Sequence, residues 1–243
     1  MYHQLYLFGQ KRYTDKIIMN SDHLFIAVIY WILRKVIGFP IRLFLINKTN
    51  GLSNIPKKGS GILAFNHQSF FDFLCFAAVT PRNIHFLSAE KFFEHKLWRI
   101  VMVLTGQIKV ERNSHEKIGL YESIQKHVLK GTLIGIFPEG TRSPHKEEML
   151  KAFTGVAQFA LKHHIPIIPV GIIGTYSVMA KHDSKPHIKK IVDINIGLSL
   201  NFQEYHGKDN DKEICLYVTE KVMKELEKLS GKKYRHYESK LIV

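Results

Sequence analysis

Cysteine is almost missing: Cys75 and Cys215 are the only two in 243 residues. Two thiols do not make a disulfide framework, and both fall within apolar helical patterns, where a reduced cysteine behaves as a small core side chain. Metal-ligand spacing is missing too. The 14 histidines are scattered without pairing, so no zinc site is expected. Acid is scarce: 21 Asp and Glu stand against 35 Lys and Arg, a formal net charge of +14. So large an excess implies an anionic partner. Nucleic acid is not the expected one, because the basic residues are dispersed and the aromatics sit in apolar runs rather than among the cations.

No apolar run reaches the roughly 18 residues of a membrane span. Leu24 to Leu33 is ten residues without a charge, ended by Arg34 and Lys35; Val36 to Ile46 follows, broken by Pro40 and Arg42. These pieces read as one or two interfacial helices, kinked at Pro40, with an apolar side in lipid and Arg34, Lys35 and Arg42 toward head groups. An ordinary helical hairpin docked on the core is the alternative. No small-residue site follows the run, so a cleaved signal peptide is not expected.

What is present is the alternation of an α/β domain. Hydrophobic residues make up 45% of the chain, enough for one well-buried core at this length. Strands are expected over 61–65, 83–87, 107–110, 132–137, 165–173 and 191–200. Helices are expected over 73–79, 92–104, from a Ser114 cap to Lys130, over 149–163 and over 212–229. Pro166 and Pro169 place their strand near an edge or an irregularity, and the basic tail after 229 reads as loose. Strands alternating with helices predict a single domain with a largely parallel, twisted sheet flanked by helices. The expected division is an N-terminal membrane-associating segment, 1–48, and an α/β domain, 49–243. No repeat or linker interrupts it.

Two stretches carry chemistry. In Asn66-His67-Gln68-Ser69-Phe70-Phe71-Asp72, a histidine and an aspartate stand five residues apart, between a strand and a helix. Within one helix a five-residue step turns roughly 500° and separates the two side chains. They meet if the helix begins between them, with Ser69 as N-cap and Asp72 at the third helical position. An ionised Asp bonded to one ring nitrogen fixes the tautomer and leaves the other nitrogen to take a proton. Ser69-x-x-Asp72 is equally a plain capping box. In the second stretch, Phe137-Pro138-Glu139-Gly140-Thr141-Arg142-Ser143, Gly140 permits positive φ and close backbone approach, and Arg142 offers a planar fork suited to phosphate. Glu139 can accept from hydroxyl groups or hold an arginine. The loops at His67, Arg112 and Glu139 all follow expected strands, and open α/β sheets bind ligands beyond the carboxyl ends of their strands. Ser69 lacks the Gly-x-Ser-x-Gly elbow of a hydrolase.

Together these stretches resemble the lysophosphatidate (1-acyl-sn-glycerol-3-phosphate) acyltransferase family of the glycerolipid acyltransferases. The first is similar to its His-x4-Asp motif and the second to its phosphate-binding motif. Gly106-x-Ile108-x-x-x-Arg112 resembles the end of its intermediate motif, and Ile165 to Val170 its last. The resemblance implies His67 as general base and Asp72 as its orienting partner. It implies acceptor contacts from Arg112, Glu139, Gly140, Thr141 and Arg142. The implied reaction moves an acyl group from acyl-CoA or acyl carrier protein, as co-substrate, to a lysophospholipid hydroxyl, with no metal and no cofactor. 1-Acylglycerol 3-phosphate is the expected acceptor, at an anionic membrane surface on the cytoplasmic face. Glycerol 3-phosphate or another lysolipid as acceptor, or a non-enzymatic lipid-binding protein, are the alternatives. The sequence departs from the family pattern at three places: Ala89 stands where a lysine is usual, with Lys91 two places on; Glu94 to Arg99 lacks the usual Pro-x-x-Gly; and Phe153 stands where another lysine is usual.

Overall fold

The long apolar runs end at glycine, proline or polar turns, and they supply the central strands of a sheet that has seven strands among the described residues. The computed structural model describes residue 28, residues 31–110 and residues 118–241. A helical stretch at Trp31 enters a π-helical turn at Arg34–Gly38 and continues as α1 (Phe39–Phe44). The chain then runs β1 (Ile46–Asn50), β2 (Gly61–Phe65), α2 (Phe71–Val79), β3 (Ile84–Ala89), α3 (Lys91–Glu94), α4 (Lys96–Leu104) and β4 (Ile108–Val110). There follow α5 (Ile118–Leu129), β5 (Leu133–Ile136), α6 (Gly155–His163), β6 (Ile167–Ile173), α7 (Thr175–Val178), β7 (Val192–Ile196) and α8 (Lys212–Ser230).

The sheet order is β1-β7-β6-β2-β5-β3-β4. Strands β2 to β6 are parallel, β7 is antiparallel to β6, and β1 is parallel to β7. Side chains alternate between two cores. Ile62, Ala64, Ile134, Ile136 and Ile167 face the side covered by α5, α6 and α8. Leu63, Phe65, Leu133, Ile168 and Val170 face the side covered by α1 and α2. From β2 the chain steps outward through β3 to β4, then returns through β5 to β6. Right-handed crossovers therefore put α2 and α4 on one side and α5 and α6 on the other. Adjacent strands β2 and β5 send their connections to opposite faces, which opens a crevice at their carboxyl ends. Ala64 lies opposite Ile136, so the two motifs leave the sheet side by side.

Several expectations are corrected. Strand β1 straddles the 48/49 boundary. It is an edge strand held by Asn47 to Asp193 at 2.8 Å and Asn50 to Asn195 at 2.9 Å, so its sequence carries little apolar signal. The helix expected over 92–104 is broken at His95, whose backbone is extended. Residues 149–154 are not helical: their N–H groups are drawn off to Lys233 O, Glu139 and Pro138 O. The tail is not loose, since Tyr234 is buried and Lys233 exchanges backbone bonds with Glu147 and Met149. Pro40 is the second residue of α1, directly after the π-helical turn at Arg34–Gly38, and the helical stretch continues through it. Pro169 does mark an irregularity. The pairing of β6 shifts register there, from Val170 opposite Ile196 to Ile167 opposite Leu200. No helix among the described residues is long and apolar enough to cross a membrane. Most of the Leu24–Leu33 piece, the Ser114 cap and Arg112 lie outside the described residues.

Candidate active site

Asn66 ends β2 by clamping onto β6. Its amide donates to Ile172 O at 2.9 Å and accepts from Ile172 N at 2.7 Å, so the loop that follows starts from a fixed point. His67 Nδ1 lies 2.8 Å from Asp72 Oδ2. The same oxygen accepts from Gln68 N at 2.8 Å and Ser69 N at 2.9 Å. An ionised carboxylate only accepts, so with the aspartate ionised and the imidazole neutral the hydrogen in the first contact belongs to Nδ1 and Nε2 keeps its lone pair. The histidine side chain is 18% exposed above a fully buried aspartate. Phe137 stacks on the imidazole with ring centres 4.0 Å apart, which fixes the plane of the ring.

The helix begins later than expected. Phe71 is its first residue and Asp72 its second, with Phe70 at the cap position and no side-chain cap bond from it. Ser69 Oγ accepts from Phe71 N at 3.2 Å and donates to Met179 O at 2.7 Å. Only the carboxylate half of the expected capping box forms, since the Ser69 hydroxyl takes Phe71 N and not Asp72 N, and that half does not compete with the contact to His67. One carboxylate oxygen serves both, by folding back over the N-terminus of α2.

In the second motif, Glu139 is 2% exposed. Its Oε1 accepts from His67 N at 2.7 Å and its Oε2 from Leu150 N at 2.7 Å. Each oxygen thus accepts one backbone N–H, and Glu139 forms a strut beneath the histidine. Burial pushes its carboxyl up to about 8, against the opposing pull of the two N–H donors. A second stitch joins the loops, as Ser143 N donates to His67 O at 2.7 Å. Gly140 has φ +65°, a backbone conformation that favours glycine, and the Phe153 ring lies beside it. Thr141 is exposed beside it and Arg142 half-buried. Among the described residues Arg142 has neither a carboxylate nor a hydrogen-bond partner, so its guanidinium is free for an anion. The expected contribution of Arg112 lies outside the described residues.

Sequence reasoning missed three features. Phe153 is 70% exposed at the mouth of the phosphate-type loop. Lys151, two residues before Phe153, is held by Glu238 at 2.6 Å, whereas Lys91 sits 5.5 Å above the Phe92 ring. The C-terminal segment straps the 147–152 stretch: Lys233 bonds to both Glu147 and Met149, Tyr234 OH accepts from Ala152 N at 3.3 Å, and Arg235 pairs with Glu148 at 2.8 Å. No local signal in the tail announces these long-range bonds. No cluster of three or more metal-ligating side chains occurs among the described residues.

Residues 47–173, just over half of the 243, match the family model described as Acyltransferase. The chain belongs to the acyltransferase family. Within it, a 1-acyl-sn-glycerol-3-phosphate acyltransferase of Borreliella burgdorferi is 28% identical over 185 residues, 73% of this chain and 70% of that one. One of Helicobacter pylori is 27% identical over 129 residues, and the match spans about half of each chain, 53%. In fold, the chain is similar to the crystal structure of the 1-acyl-sn-glycerophosphate (LPA) acyltransferase PlsC from Thermotoga maritima. That likeness has a TM-score of 0.67 at 23% identity and covers 89% of this chain and 88% of the other. Both stitched loops of this acyltransferase-family chain, and its departures Ala89 and Phe153, fall inside the matched span.

Proposed function

We propose that this protein transfers a fatty acyl group from a thioester, acyl-CoA or acyl carrier protein, to the free hydroxyl of 1-acylglycerol 3-phosphate, giving phosphatidic acid. The observation that carries the reading is the His67–Asp72 pair, with Nδ1 bonded at 2.8 Å, Nε2 left to act as base, and the free Arg142 on the loop stitched to the same histidine. The names of the Borreliella and Helicobacter relatives support the acceptor.

In this reading the acceptor phosphate is held by Arg142, with Gly140 and Thr141 alongside and Arg112 as a second cation. Nε2 of His67 takes the proton of the acceptor hydroxyl as its oxygen bonds to the thioester carbonyl carbon. The tetrahedral intermediate then expels the thiolate, which takes that proton back from the imidazolium. Asp72 holds the ring and offsets its transient positive charge. Proton transfer of this kind contributes about 10²–10⁴-fold, and fixing the acceptor contributes more by alignment. A thioester is already an activated acyl group, so the reading calls on no metal or cofactor. The enzyme would work at the cytoplasmic surface of an anionic membrane.

A second acceptor reading has one specific observation in its favour. Phe153 and Ala89 stand where the resemblance leads one to expect lysines, which leaves fewer cations for a dianionic phosphate monoester. A lysolipid whose phosphate is esterified carries one charge fewer and suits such a site. The test is to incubate the protein with acyl-CoA and a panel of acceptors, following thiol release and identifying products by mass. Thiol release that requires lysophosphatidate supports the proposal. Release only with an esterified lysolipid or glycerol 3-phosphate moves the acceptor. Release with none marks a hydrolase, and no release leaves a lipid-binding protein.

A further inference from the structure

Helix α4 buries Met102 but not its outer face. Ile100 is 56% exposed and Val103 60%. Lys96 and Arg99 are exposed as well. Positions 96, 99, 100 and 103 share one side of a helix, and α4 contains no acidic residue. An apolar stripe bordered by cations and free of acid fits the interface of an anionic bilayer and suits few protein surfaces.

The position of α4 gives the stripe a use. Trp98 packs edge-on against Phe70 at 5.3 Å, and Phe92 lies near both, at 6.0 Å from Phe70 and 6.2 Å from Trp98. Phe70 belongs to the His67 loop, two residues before Asp72. Helix α1 lies on the same side of the sheet, since its Ile41 shares the core of α2. The stretch leading into it exposes Trp31 and Val36, and α1 itself exposes Phe39. Apolar surfaces thus flank α2 on the face that carries the catalytic loop.

We infer that α4 is a second bilayer-docking element, additional to the N-terminal helix, which inserts Ile100 and Val103 into an anionic lipid surface and sets the mouth of the His67 site against it. Its rationale rests on the proposed lipid acceptor, because a one-chain lipid then reaches His67 along the Phe70–Trp98 contact without crossing water.

The test reads the position of α4 by spectroscopy and so stands apart from activity. Val103→Cys in the full chain is labelled with an environment-sensitive dye; Cys75 and Cys215 are buried. Leu198→Cys is the control, exposed just after β7, toward the other edge of the sheet from β3 and β4. With vesicles of phosphatidylglycerol and phosphatidylcholine in equal parts, the label at 103 should shift to the blue and be quenched by spin-labelled lipid, while the label at 198 should not. Ile100→Glu combined with Val103→Glu should weaken vesicle partition by at least about tenfold with an unchanged melting temperature. A label at 103 that stays in water on vesicle-bound protein overturns the inference. So does a blue shift that needs no vesicles and grows with protein concentration, which would assign the face to a second copy of the chain. Protein that transfers no acyl group but shows the vesicle-dependent shift fails the proposed function and not this inference.

Discussion

Glu139 accepts the backbone N–H of His67 at 2.7 Å, from 72 residues away in the chain. Its other oxygen holds Leu150 N at the same distance. One buried side chain therefore sets the height of the histidine and the course of the loop that carries Arg142. Glu139→Gln keeps one acceptor and turns an NH₂ toward the other backbone donor. Leaving one buried N–H unpaired should destabilise the fold by about 1–3 kcal/mol. It should also lower kcat, while the KM for acyl-CoA moves little, because the residue acts through His67 and not on substrate. Steady-state kinetics beside denaturant unfolding would check both. A variant that raises only the KM for the acceptor would return Glu139 to substrate contact.

The same carboxyl makes a prediction about pH. Burial raises it in the fold from the usual 4.5 to about 8, so the folded protein keeps a proton that the unfolded chain gives up. The stability tied to this group is fully present below about pH 4.5 and is lost as pH rises toward 8. The difference in unfolding free energy between the native protein and Glu139→Gln should therefore shrink across that window, by at most about 1.4 kcal/mol per pH unit. A difference that stays flat across that window would show that the two N–H donors outweigh burial and that the group is ionised throughout it.

Arg142→Ala should act through the acceptor. No described side chain pairs with this guanidinium, so its removal disturbs no internal bond. Apparent KM for the lysolipid should rise at least about tenfold, from loss of a charge-assisted contact, with the KM for acyl-CoA nearly constant. A rise for acyl-CoA alone would put Arg142 on the donor's phosphates.

The tail should matter to turnover although it lies outside both motifs. Tyr234 is buried beneath the 147–152 stretch that supplies Leu150 N to Glu139. Tyr234→Ala should destabilise by about 3–5 kcal/mol and lower kcat in the surviving folded fraction. Tyr234→Phe loses only the 3.3 Å contact from Ala152 N and should restore most of both. Equal kcat in all three would confine the strap to stability.

His67 and Asp72 were legible because their partnership is local: a five-residue spacing across a helix start carries its own geometry. The parallel sheet was legible for a similar reason, since each of β2, β5 and β6 is a continuous apolar run buried on both faces. The bracing role of Glu139 was not, because its partners are backbone groups, one of them 72 residues away, which no side-chain pattern reveals. Residues 149–154 looked helical since Met149 and Ala152 are indeed core residues, three apart, but the bonds of that stretch go to Glu139 and the tail. Strand β1 was hidden because Asn47, Lys48, Thr49 and Asn50 pair through polar edges and bury almost nothing apolar.

The most direct test of the account is single-turnover and steady-state kinetics on His67→Ala with acyl-CoA and lysophosphatidate. The ring of His67 is held by Asp72 at 2.8 Å and by Phe137 at 4.0 Å, and its removal should leave the loop stitched through Glu139 and Ser143. The account predicts a kcat lower by at least about 10²-fold, with both substrates still bound and the melting temperature little changed. Near-normal turnover by the purified variant would contradict it.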